Sequence, residues 1–91
     1  MATQGTATVD FGTGGSDASV GVTGQGSITT ANLAEAWMSG DASSNNLAGA
    51  AAAEGLQAYA GAITNAVGFT ITVKCPFGLA FGQYKVNWVW N

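Results

Sequence analysis

The sequence predicts an all-β protein: a single antiparallel β-sandwich or small barrel of about six strands occupying the whole chain as one domain. Three observations carry that expectation. Apolar and polar residues alternate at period two through most of the chain, which places one side-chain type on each face of a strand. Glycine-dense stretches such as GTGGSD and GVTGQG punctuate the alternating segments. The 91 residues fit one domain and leave no room for two.

The elements follow in order. In TATVDF (6–11), Ala7, Val9 and Phe11 point one way and Thr6, Thr8 and Asp10 the other. GTGGSD (12–17) reads as a turn, and ASVGVT (18–23) alternates again with Ala18, Val20 and Val22 on one face. The two segments are therefore expected to pair as a hairpin. GQGS (24–27) breaks the second strand. A strand is expected over about 33–38, with Leu33, Glu35 and Trp37 on one side and Ala34, Ala36 and Met38 on the other. A helix is the alternative there, because Leu, Ala, Glu and Met all favour one.

The Ala-rich middle, 42–66, is the hardest to read. Alanine density suggests helix near 45–54, but Gly49, Gly55 and Gly61 recur, each costing roughly 0.8–1 kcal/mol inside a helix. The reading is a short helix or an irregular loop, then a strand over about 56–63. The last third alternates cleanly. Phe69, Ile71, Val73 and Cys75 share one face of GFTITVKC (68–75) and Thr70, Thr72 and Lys74 the other. PFG (76–78) turns the chain, Gly82 permits a bend, and QYKVNWVW (83–90) puts Tyr84, Val86, Trp88 and Trp90 on a single face. Each buried aromatic removes about 150–250 Å² from water, so this final strand should be pinned rather than frayed.

Composition bounds the function. Charged residues make up 8% of the chain, against roughly 25% in a typical soluble domain. No stretch gives the roughly 20 mostly apolar residues of a spanning helix, since 55–73 is interrupted by Gln57, Thr64, Asn65, Thr70 and Thr72. The opening MATQGTATVDF lacks the basic and apolar regions of a signal peptide. The expectation is a soluble chain with no membrane partner, its surface made of Thr, Ser, Gly and Ala. Lys74 and Lys85 are the only cations and net charge is −3, which argues against nucleic acid. Histidine is absent and Cys75 is alone, so no metal site and no activated nucleophile is expected, and no cofactor either. Asp10 and Glu35 could meet across a sheet face, but nothing positions them as a catalytic pair. The protein is read as not an enzyme.

Phe11, Trp37, Phe69, Ile71, Tyr84, Val86, Trp88 and Trp90 are then candidates for the core or for an interface between copies. Glu35, Lys74 and Lys85 are candidate polar contacts between subunits. A rival reading has Tyr84, Trp88 or Trp90 exposed in a groove, stacking on a carbohydrate.

TATVDFG, ASVGVTGQ, AEAWM, VGFTI and the closing YKVNWVWN together resemble small proteins encoded by tailed bacteriophages. The resemblance covers most of the chain in the same order and rests on strand signatures, not on a catalytic code. It implies a virion structural protein, made in the host cytoplasm: a capsid cement or decoration subunit, or else a tail or fibre component. Its implied partners are further copies of itself, for which a trimer is suited, and the major capsid protein or tail proteins. The segment after EAWM departs from that pattern, being Ala-rich where such proteins carry Asp, Glu and His. No site is transferred to it. A virion place is compatible with the low charge, because symmetric contacts among many copies would cover much of each subunit.

Overall fold

Alternation becomes strand wherever one face can be buried. In the computed structural model, which describes residues 3–39, 55–76 and 78–91, this happens along six strands. They are β1 (Thr3–Asp10), β2 (Asp17–Val22), β3 (Ala34–Met38), β4 (Gln57–Thr64), β5 (Gly68–Lys74) and β6 (Gln83–Trp90). They form two antiparallel three-stranded sheets, ordered β1-β6-β3 and β2-β5-β4. The architecture is a sandwich rather than a barrel, since the described strands leave two separate sheets with open edges. The short helix or irregular loop expected in the Ala-rich middle falls largely on residues outside those described.

The central position in each sheet goes to the strand with the largest apolar side chains. From β6, Tyr84, Val86, Trp88 and Trp90 are buried; from β5, Phe69, Ile71 and Val73 are buried, with Cys75 just beyond. Val9 and Phe11 add to the core on one side and Val22 on the other. Two edge-to-face ring pairs organise it: Phe11 with Tyr84 at 5.8 Å and Phe69 with Trp88 at 5.5 Å. The second pair joins the two sheets directly.

The expected hairpin between the first two strands does not form. β1 pairs with β6 and β2 with β5, so the chain changes sheet between them. The link of Phe11–Ser16 is too long for the two-residue turns that favour tight hairpins, and each strand finds a larger apolar partner elsewhere. The link is instead held by the β5–β6 connection, through paired backbone bonds between Gly15 and Ala80 (3.0 and 2.9 Å) and a bond from Phe11 N to Gly82 O (2.8 Å). β4 and β5 do form a hairpin, with a register shift between Gly61 and Thr64.

The segment between β2 and β3 supplies a core residue that its sequence does not advertise. Ile28 is buried, and Ala66 N donates to Ile28 O (2.9 Å), tying this segment to the β4–β5 turn. Gln25 completes the closure, with its Oε1 accepting from the indole Nε1 of Trp90 at 2.9 Å and its backbone N donating to Val67 O at 2.9 Å. Gly68 is required where β5 begins, because a Cβ there would run into the carbonyl of Val22.

Candidate interaction surface

With most of the large apolar side chains turned inward, the outer face of the β1-β6-β3 sheet is mainly polar, with one valine and one indole. Gln4, Thr6 and Thr8 come from β1, Lys85, Asn87 and Val89 from β6, and Glu35 and Trp37 from β3. The register sets Thr6, Asn87 and Trp37 in one row and Gln4, Val89 and Glu35 in the next. Thr6 Oγ1 donates to Asn87 Oδ1 at 3.0 Å. A shallow open groove of about 260 Å³ follows these rows, lined by Gln4, Gly5, Thr6, Trp37, Asn87 and Trp88. Gly5 makes room on the inner side of β1: an ideal Cβ there would stand 2.5 Å from the Trp88 ring. The indole of Trp88 therefore fills the place of a side chain under β1.

Trp37, a candidate for the core or for an interface, is placed on the surface. It does not join the core but stands 47% exposed over this groove. The reason lies on the inner side of β3, where Ala34 pairs with Trp90 and Ala36 with Trp88. Small residues must face inward beside two indoles, and alternation then sends Leu33, Glu35 and Trp37 out. Leu33 is the most exposed large apolar residue described, at 77%. The other seven candidates, Phe11, Phe69, Ile71, Tyr84, Val86, Trp88 and Trp90, are all core. That removes Tyr84, Trp88 and Trp90 as the exposed rings of a carbohydrate site.

The polar candidates are dispersed. Lys74 lies on the outer face of the second sheet, between Asp17 of β2 and Gln57 of β4. Lys85 lies opposite Thr8, two outward positions along β6 from the Val89 that faces Glu35. Within one chain, Glu35 is thus a direct neighbour of neither lysine. Asp10 and Glu35 do not form a pair either. They occupy opposite outer strands and opposite ends of the sheet, which strand spacing and rise put roughly 20 Å apart. Asp10 has a local role instead, its Oδ1 accepting from Gly12 N at 2.7 Å as the chain leaves β1.

Beyond the groove, Tyr59 stands on the outer face of the second sheet with its hydroxyl donating to Gln57 Oε1 (2.9 Å), and Leu79 and Phe81 are exposed in the β5–β6 connection. Sequence reasoning did not single out these three residues. The signal for Leu79 and Phe81 was the break in alternation around Pro76–Gly82, whereas Tyr59 sits within β4. Among the described residues no group of three potential metal ligands occurs.

These features define a small antiparallel β-sandwich whose candidate site is a weakly charged sheet face rather than a deep cleft. No protein-family model matches the chain, and no curated protein or solved structure matches it either.

Proposed function

We propose that this chain is a structural subunit of a bacteriophage virion, a capsid cement or decoration protein that stabilises the particle by packing against copies of itself and against the shell protein. The observation that carries the reading is the surface. The whole chain has seven charged residues, five acidic and two basic, while Leu33, Trp37, Tyr59, Val67, Leu79 and Phe81 are exposed among the described residues. Such a surface suits permanent contacts, whose centres are depleted in charge and enriched in aromatics. A small core supplemented by an interface of about 2,000 Å² or more would also offset the modest stability of so short a chain. A trimer is the proposed assembly, the major capsid protein its proposed partner, and the virion its proposed location.

Quantitative proteomics of purified particles tests this. The proposal expects the polypeptide in a fixed, high ratio to the major shell protein, and its absence from particles overturns the proposal. A low ratio would favour the second reading, a tail or fibre component that binds carbohydrate. That reading is supported by the Trp37 groove, where an exposed indole stands beside the amides of Gln4 and Asn87 and the hydroxyl of Thr6. It expects glycans to quench the Trp37 fluorescence, and expects Trp37→Phe to remove the quenched component.

A further inference from the structure

The geometry points to the outer edge of β1 as the seam through which two copies of this chain join, by antiparallel addition of β1 to β1. The inference deepens the self-association reading and rests on it; a twofold seam closes at two copies, so it makes a pair of chains, rather than a trimer, the unit that this edge builds.

Each three-stranded sheet has two edges, and an edge strand presents backbone donors and acceptors to any chain that can pair with them. Three of the four edges carry a device that discourages pairing. β3 is the shortest strand and bears the outward Glu35. β2 begins at Asp17. β4 is interrupted by its register shift, with Ala62 at a φ of 54°. β1 is neither short nor interrupted, and its one charge, Asp10 at its end, is turned back to accept from Gly12 N. It runs eight residues in continuous register with β6, contains no proline, and has no charge before Asp10.

The bonding parity of the sheet identifies which groups are open. Leu33 and Asn91 exchange backbone bonds at 2.9 Å in both directions, and Ser39 N donates to Lys85 O at 2.9 Å. In an antiparallel ladder bonded pairs alternate with non-bonded ones, so the odd-numbered residues of β6 bond to β3 and the even-numbered ones to β1. Their partners in β1 are Thr3, Gly5, Ala7 and Val9. The bond from Phe11 N to Gly82 O keeps the same parity. It follows that Gln4, Thr6 and Thr8 direct both N–H and C=O away from β6, and no described strand pairs with that side.

This edge is complementary to itself. Centred on Thr6, a twofold partner sets Thr6 against Thr6 and Gln4 against Thr8, giving about six new backbone bonds in three pairs. Threonine side chains meet across the axis, a favourable cross-strand pairing, and no like charges face each other. The product is a continuous sheet ordered β3-β6-β1-β1-β6-β3.

Sedimentation velocity over a dilution series tests the seam, using the intact chain and three variants. Thr6→Lys places two ammonium groups face to face at the axis. Thr8→Pro removes an outward N–H, which the ladder to β6 does not use. Ser19→Lys adds the same charge to the outer face of β2 as a control. Thr6→Lys and Thr8→Pro are expected to weaken self-association at least tenfold while Ser19→Lys leaves it within twofold, with far-UV circular dichroism unchanged. Should Thr8→Pro not fold, Thr6→Lys alone carries the test, because it keeps every backbone donor. An oligomer that ignores Thr6→Lys, or that Ser19→Lys weakens equally, overturns the β1 seam and leaves self-association standing. An intact chain that is monomeric throughout overturns both.

Discussion

Gly5 and Gln25 show how single residues fix the aromatic face. A Cβ at Gly5 would strike the Trp88 ring, which is itself packed edge-to-face on Phe69. Gly5→Val should therefore overpack the sandwich and lower its stability by about 1–3 kcal/mol in chemical denaturation. An unchanged midpoint would show that the indole has room to move. Gln25→Leu strands the buried indole N–H of Trp90, and the expected loss in the same measurement is about 1–3 kcal/mol. Neither role is legible in the sequence. Gly5 falls outside the strand expected over 6–11 and Gln25 inside the GQGS break, and the importance of both depends on rings from the far end of the chain.

At the scale of elements, the strands were legible and their partners were not. Alternation marks β1, β2, β5 and β6 to within a few residues, because burying one face imposes period two on the sequence. Pairing depends on which strand offers the larger apolar face, and local pattern carries no such information. This is why β1 lies beside β6, far along the chain, instead of beside β2. β3 was ambiguous for a related reason: alanines serve on an inward face only once the indoles of β6 are known to flank them. Seven of the eight aromatic and aliphatic candidates proved to be core, while the surface site at Trp37 could be recognised only after that packing was known. The closing strand was readable in full. β6 is central in its sheet and pairs on both sides, so removing residues 88–91 strips Trp88 and Trp90 from the core and shortens both ladders. The truncated chain should lose its cooperative thermal transition in calorimetry; a soluble, cooperatively melting product would refute the central role of this strand.

For the whole molecule, the decisive balance is between a small core and a weakly charged surface. A domain of this size buries only about 60–65% of the surface its unfolded chain exposes, so its stability as a lone chain is expected to be modest. Among the described residues, apolar side chains are exposed on both sheet faces and in the β5–β6 connection, and the β1 edge, uncharged from Thr3 to Val9, is open. Self-association that covers these features would couple folding to protein concentration. The direct test is the thermal midpoint of the intact chain, followed by far-UV circular dichroism across a roughly hundredfold dilution with the mass distribution measured at each concentration. The account predicts an oligomer whose midpoint falls as it is diluted. A single chain that melts cooperatively at one high temperature throughout the series would contradict it.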